Sequence, residues 1–421
     1  MIKRLHSYRL LPFMIIAWTF AVTVARAIRL PNDFAEAHWL LDYRFGFIKR
    51  GLIGSICSVA TSLLGIPMSS RVILILSEIL FCAFCAVLLF LLFRLLRQYV
   101  GDSGTQLMAL VFASSPFLVM SAHLFGYFDA LLYLTAIAAA ALVLSDRPYP
   151  AAFISVVAML THESYLLIGF PLVCLAAFLR LRSSAENNQA NRVKHIAALF
   201  VPLLVFFGIL VFQTFFIDQL ALRQQLTDYL GSFNYIPTQY SEVPKWQTTG
   251  FFEFLGYQDN FGGHILDPVI LASVGPSFLA ILYFIHSSFR VRAFRLLSVV
   301  TLAVIACPLL LHAVAFDTAR ISTYPIGGAF IAAWIFTKTN QHQATDDLFA
   351  LVALPALVLN IFLTIHLMDW EVERFSNIWR ILLYAPTLLL VLSIISRRNV
   401  QNVVAGINLD EVSTIGAKDG E

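Results

Sequence analysis

Stretches near residues 11–28, 72–93, 105–122, 127–145, 195–217, 267–286, 296–314, 321–337, 347–366 and 378–396 are each dominated by apolar side chains. Each approaches the roughly 20 residues that a helix needs to cross a bilayer. Within 149–180 the pattern changes: an apolar run reaches Thr161, is interrupted by His162 and Glu163, and resumes to Arg180. That region reads as two short spans meeting at a polar corner, for about 11–12 membrane segments in all. Helices satisfy their own backbone hydrogen bonds in lipid, and no alternating barrel pattern is present, so the expected fold is an all-α, polytopic transmembrane bundle. Composition agrees. Of 421 residues, 59% are hydrophobic and 13% charged, against about 25% charged in ordinary globular domains, and the mean hydropathy is +0.80. A net charge of +3 spread in short basic groups argues against nucleic acid as a partner. All five cysteines lie inside apolar segments and read as packing residues, with no disulfide framework. Lys3, Arg4 and Arg9 before an apolar run, with Ala25-Arg26-Ala27 after it, resemble a signal peptide; the reading favoured here is an uncleaved first span.

Lysine and arginine bias sets the orientation. With a cytoplasmic N-terminus, Arg94/Arg97, Arg147, Arg180/Arg182/Arg192/Lys194, Arg290/Arg292/Arg295, Lys338 and Arg397/Arg398 all fall inside. This requires that 52–66, "LIGSICSVATSLLGI", lie along the outer surface as an interfacial helix. The expected organisation is one membrane domain over 1–398 and a polar, disordered cytoplasmic tail over 399–421. The outer face then holds the first loop (29–71), "HLFGYFD" at 123–129, "THES" at 161–164, a long loop at 218–266, "FDTAR" at 316–320 and "MDWEVERF" at 368–375.

Arg44, Lys49 and Arg50 in "DYRFGFIKRGLIG" break the positive-inside rule on that outer face, which points to cations serving an anion, with phosphate the natural choice. Asp33, Glu36 and Asp42 share the same loop. If 33–43 is helical, Asp33 and Glu36 lie on one face, as do His38 and Asp42, and an acid facing a low-dielectric pocket can take a proton from a hydroxyl. Taken singly, each is also readable as a solvated surface acid. His123 and Asp129 bracket two span ends; Asp129 either caps its helix or faces a wet interior. His162 and Glu163 read as ligand or substrate contacts. A divalent metal is left open, but two adjacent residues cannot both project from one helix face, so His123 or His312 would have to join them. His312, Asp317 and Arg320 form a third group, whose arginine either clamps phosphate or snorkels to headgroups. Glu78 is expected to make an interhelical hydrogen bond. Aromatics and amides in 218–266 suit sugar binding. No nucleotide-binding, GxSxG or HExxH motif is present.

A first span, then a long outer loop with an aspartate and an interfacial helix, then spans with polar corners on that face, resembles the GT-C superfamily of membrane glycosyltransferases. "FGYFDALLYLTAIAAAALVL" followed by "LTHESYLLIGFPLV" is similar to the third-to-sixth-span region of such enzymes. The resemblance implies a polyprenyl-phosphate sugar donor and a glycan or lipid-linked acceptor at the extracytoplasmic face of the inner (plasma) membrane, for cell-surface polysaccharide synthesis. By position it makes Asp42 or Asp33 the acid, Arg44, Lys49, Arg50 or Arg320 the phosphate contacts, and His162 and Glu163 cavity wall. The membrane portion before the tail carries neither the paired "DE" nor the DxD of some branches, and no large soluble C-terminal domain is expected. The alternative is a transporter or flippase of a lipid-linked or anionic solute with the acids and histidines as proton relays; no repeat relates 10–200 to 210–400, which favours the enzyme.

Overall fold

The computed structural model describes residues 2–99, 101–183, 189–237, 240–249, 267–289, 295–315, 317–339, 348–365, 367 and 371–397, and these form helices and connecting turns without a strand. In chain order the helices are α1 (Ile2–Ala25), α2 (Asp33–Leu40), α3 (Gly51–Leu64), α4 (Ser70–Gln98), α5 (Ser103–Ala113), α6 (Pro116–His123) and α7 (Asp129–Leu144). There follow α8 (Pro148–Thr161), α9 (Tyr165–Ile168), α10 (Phe170–Ser183), α11 (Gln189–Phe215), α12 (Gln219–Gly231) and α13 (Glu242–Thr248). The last are α14 (Pro268–Ser288), α15 (Arg295–Ala306), α16 (Thr318–Thr339), α17 (Leu348–Phe362), α18 (Asn377–Leu383) and α19 (Ala385–Arg397). Short 3₁₀ turns occupy Tyr43–Phe45 and Cys307–Ala313.

Among the described residues six helices are long and apolar enough to cross a membrane: Ser70–Gln98, Ser103–His123, Tyr165–Arg182, Arg192–Phe215, Pro268–Ser288 and Leu296–Ala313. A seventh arises if α18 and α19, bent by 56°, count as one span. Segments expected to span at 127–145 and 347–366 are shorter apolar helices of 16 and 15 residues, and the one expected at 11–28 lies in α1, whose apolar part is Leu10–Ala25. The span expected at 321–337 lies in α16, whose residues from Ile321 to Thr337 are all buried. This helix is the axis of the bundle, with α14, α15, α10 and α6 packed around it. Small residues let them approach: Gly327 lies against the Phe117 ring, and Phe330 stacks on Phe112 at 3.8 Å. Close approach of this kind is what holds helices together where lipid offers no hydrophobic contrast.

Polar ties fix the bundle at its edges. Asn360 of α17 accepts from Ser277 of α14 at 2.7 Å and donates to the Val111 carbonyl and Ser114 hydroxyl at the α5–α6 break. In α1, Thr19 and Thr23 bond Thr387 and Tyr384. Arg26 follows α1, and its fully buried guanidinium bonds Glu373 at 2.7 Å and the Asn360 carbonyl at 2.6 Å. Arg380 reaches the same Glu373 oxygen at 3.0 Å, and the other carboxylate oxygen accepts from the Ile365 amide at 2.7 Å. One buried carboxylate thus joins α1, the end of α17 and α18.

Two sequence expectations change here. The described part of 218–266 contains α12 and α13, because Leu222, Leu226 and Leu230 recur at helical spacing and are buried with Ile236 and Val243 against Trp39 and Leu40; "GYQDNFGGH" lies outside the described residues. Glu78 is exposed and makes no side-chain hydrogen bond among the described residues, since it points away from the bundle on α4. The tail at 399–421 also lies outside the described residues.

Glu373→Gln leaves two guanidinium groups buried without a counter-charge, and a loss of about 3–5 kcal/mol is expected. Glu371→Gln, at an exposed partner of Arg29, should stay within about 0.5 kcal/mol. Unfolding of the purified protein in detergent separates the two; equal effects would contradict a structural role for the buried triad.

Candidate functional site

The segment between α1 and α4 folds into a fixed platform. Asn32 caps α2 by accepting from the Ala35 amide at 2.9 Å. The helix stops at Leu40, because Leu41 and Asp42 are extended. His38 and Asp42 therefore do not share a helical face as expected. Asp42 instead caps the 3₁₀ turn, accepting from the Arg44 amide at 3.0 Å, while the Arg44 Nε donates to both its oxygens at 2.8 Å. Gly46, with φ +92°, turns the chain back. Arg50 enters α3 in the left-handed region at φ +58°. Gly54 lies so close to the Leu41 carbonyl that a Cβ there would sit 1.9 Å from its oxygen. α3 thus packs directly on the end of α2 and presents Arg50 to His38.

Arg50 is the meeting point. Its Nη2 and Nε donate to the two Glu163 oxygens at 2.7 and 3.2 Å, and its Nη1 donates to His38 Nε2 at 3.1 Å. His38 Nδ1 lies 2.8 Å from the Phe34 carbonyl, which can only accept. The ring proton is thereby fixed on Nδ1, and Nε2 accepts from Arg50. His162 Nδ1 accepts from the Ser164 amide at 3.1 Å, so its proton sits on Nε2, which has no partner among the described residues. Lys49 donates to the Thr249 carbonyl at 3.0 Å, bringing the segment after α13 to the same place. Alongside stands a second ion group. Arg320 of α16 grips Asp129 of α7 through Nη2 at 2.8 and 2.9 Å, bonds Asp317 at 3.0 Å, and lies 5.3 Å above the Tyr127 ring. Tyr324 donates to Asp129 as well. Asp129 occupies the first turn of α7 without making a cap bond.

The electrostatics follow from burial and from this company. Burial first, then Arg50, pushes both His38 and His162 down to about 3, and Arg320 adds to each. Burial alone would raise the Glu163 carboxyl, yet Arg50, with Lys49, holds it well below the usual carboxylate range. Burial lowers the Lys49 ammonium. The result is two neutral imidazoles and two guanidinium groups, and Arg50, Lys49 and His162 each keep N–H donors beyond those bonded above. Such a set suits an anion carrying several acceptor oxygens.

The structure therefore brings together Lys49, Arg50, Asp129, His162, Glu163, Asp317 and Arg320 from the expected residues, and adds His38, Tyr127 and Tyr324. It sets others apart. Asp42 is 4% exposed and engaged by Arg44, which itself lies over the Tyr229 ring. Glu36 is buried toward α4, where Ser70 donates to it; burial holds its carboxyl above the usual range. Asp33 opens α2 and acts on Glu36. His123 is buried beside Glu371, at 3.7 Å. His312 bonds the Leu309 carbonyl at 2.9 Å inside the bundle. Among the described residues no three His, Cys, Asp or Glu side chains group as a metal-ligand set, and neither His123 nor His312 joins His162 and Glu163. Sequence reasoning missed the Arg26–Glu373–Arg380 triad and Tyr324 altogether. An arginine at a span end looks the same whether it faces headgroups or a buried acid.

Because both histidines are depressed, the unfolded chain binds protons that the folded one does not between pH 6.5 and about 3. Stability should therefore fall as the pH is lowered through that window. Nitrogen chemical shifts of labelled histidine should show His38 as the Nδ1–H and His162 as the Nε2–H tautomer at pH 6; an imidazolium signal from either would contradict the assignment.

Compared with protein-family models, with curated proteins and with solved structures, the chain has no match in any of the three.

Proposed function

We propose that the chain is an integral-membrane glycosyltransferase resembling the GT-C superfamily, moving a sugar from a polyprenyl-phosphate donor to a hydroxyl of a glycan or lipid-linked acceptor. The reaction is placed at the extracytoplasmic face of the inner (plasma) membrane, with both termini cytoplasmic. The observation that carries this reading is the convergence of Lys49, Arg50, His162, Glu163, Asp129 and Arg320 from segments far apart in the chain. The six helices that, among the described residues, are long and apolar enough to span a membrane support its setting.

The chemistry needs an anion holder and a base. The Arg50 fork is satisfied by Glu163. A donor phosphate arriving beside Lys49 and Arg50 competes for that guanidinium. As Arg50 turns to the phosphate, the Glu163 carboxylate loses its counter-charge and its proton affinity rises. The acceptor oxygen then attacks the anomeric carbon, the bond from that carbon to the phosphate oxygen breaks, and the hydroxyl proton passes to Glu163. Polyprenyl phosphate leaves with its charge held by Lys49, Arg50 and the His162 Nε2–H. His38, neutral and bonded to the Phe34 carbonyl, keeps Arg50 aimed and is a positioning residue. The Asp129–Arg320–Tyr324 group walls the site.

This assigns the base to Glu163, where the sequence alone pointed to Asp42, Asp33 or Glu36. In proteoliposomes given a labelled polyprenyl-phosphate sugar and an acceptor, Glu163→Gln and Arg50→Gln should each lower transfer by about 10²-fold or more. Asp42→Asn should stay within a few-fold. Loss of transfer in Asp42→Asn with full activity in Glu163→Gln returns the base to the first loop. Solute movement without a new glycosidic bond makes the protein a carrier instead.

A further inference from the structure

An open groove of about 450 Å³ lies along the other end of α4, lined by Phe90, Phe93, Arg94, Arg97 and Gln98. α4 starts beside the candidate site, where Ser70 donates to Glu36. At a rise of 1.5 Å per residue, Arg94 stands about 36 Å further along its axis, beyond the roughly 30 Å of a hydrocarbon core. If the Ser70 end lies at one interface, Arg94 lies among the headgroups of the opposite leaflet.

Two cations, Arg94 and Arg97, line the groove, and a third, Lys338, stands near it. Arg94 is close enough to Lys338, at the end of α16, for the two charges to oppose each other. Gln98 donates to the Thr337 carbonyl at 3.3 Å and so pins the ends of α4 and α16 together. Arg97 is one helical turn from Arg94. None of the three cations has an ion pair or side-chain hydrogen bond among the described residues. Exposed cations commonly stay unpaired, so charge alone decides little. The polarity of the groove adds the second observation: its phenylalanines lie on the side toward the middle of α4 and its guanidinium groups toward the end. Phe93 is fixed there by the Phe13 ring of α1, packed edge-on at 4.8 Å.

We infer that this groove binds the head of an anionic phospholipid, with the phosphate on Arg94, Arg97 and Lys338 and the first chain methylenes against Phe90 and Phe93. A free anion has no use for the two rings, and a zwitterionic headgroup leaves the excess of positive charge uncompensated. The site is independent of the sugar-transfer reading, since it stands at the opposite end of the bundle and shares no residue with the first cluster.

The test uses the full chain in detergent, exchanged into phosphatidylcholine nanodiscs with increasing phosphatidylglycerol, and bound lipid is counted by native mass spectrometry. The parent protein should retain phosphatidylglycerol over phosphatidylcholine by about tenfold or more. The double variant Arg94→Gln/Arg97→Gln should lose most of that preference. Arg71→Gln, an exposed cation at the other end of α4, should keep it. Both changes are at exposed positions, and unchanged melting confirms an intact fold. An equal preference in parent and double variant would overturn the inference. So would an equal fall in Arg71→Gln, or displacement of phosphatidylglycerol by millimolar inorganic phosphate.

Discussion

Arg50 cannot be satisfied by its own neighbourhood in the chain, and much of the candidate site follows from where it finds partners. Its guanidinium needs acceptors in a plane, and they come from α2 and from the break between α8 and α9. Removing a charge from water is costly unless it is paired with good geometry. The fork onto Glu163, with His38 closing the third side, meets that requirement. The backbone conformation of Arg50 and the contact of Gly54 with Leu41 serve the same end, since both are needed to bring α3 over α2. Local strain is tolerated because three elements hold it in place.

The two ion groups at this end differ in what they leave available. Asp129 is saturated by Arg320 and Tyr324 deep between α7 and α16, and its removal would uncover a buried cation. Glu163 is only half-buried and is held chiefly by one partner. A carboxylate held by a single displaceable cation is one whose proton affinity a ligand can change, and this is why Glu163 rather than Asp129 is assigned the proton. The Arg26–Glu373–Arg380 triad is the structural counterpart: fully enclosed, bonded to backbone on several sides, and well placed to hold the C-terminal helices to α1.

The all-helical class was legible in the sequence, because apolar length and interruption report directly on helices, but of the 11–12 expected spans six or seven are long and apolar enough among the described residues. The helix at 51–64 and the polar corner at His162–Glu163 were visible as breaks in hydrophobic pattern. The acids were harder to read. Nothing local distinguishes Asp42, which caps a turn and holds Arg44, from Glu163, which faces across to Arg50. The periodic leucines at 222, 226 and 230 did signal a helix within what composition suggested was a loop. His38 was noticed only for a shared face with Asp42, which vanished when α2 ended at Leu40. Convergence of remote side chains is a property of packing, and periodicity within one segment carries no record of it.

The account depends on Arg50 passing from Glu163 to the phosphate of the donor. Isotope-edited infrared titration of the Glu163 carboxylate, with the site empty and then with a non-transferable polyprenyl-phosphonate sugar bound, observes this step without any turnover. The account expects protonation well below the usual glutamate range in the empty protein and a clear upward shift with the analogue in place. A Glu163 titration that is identical in both states would contradict it.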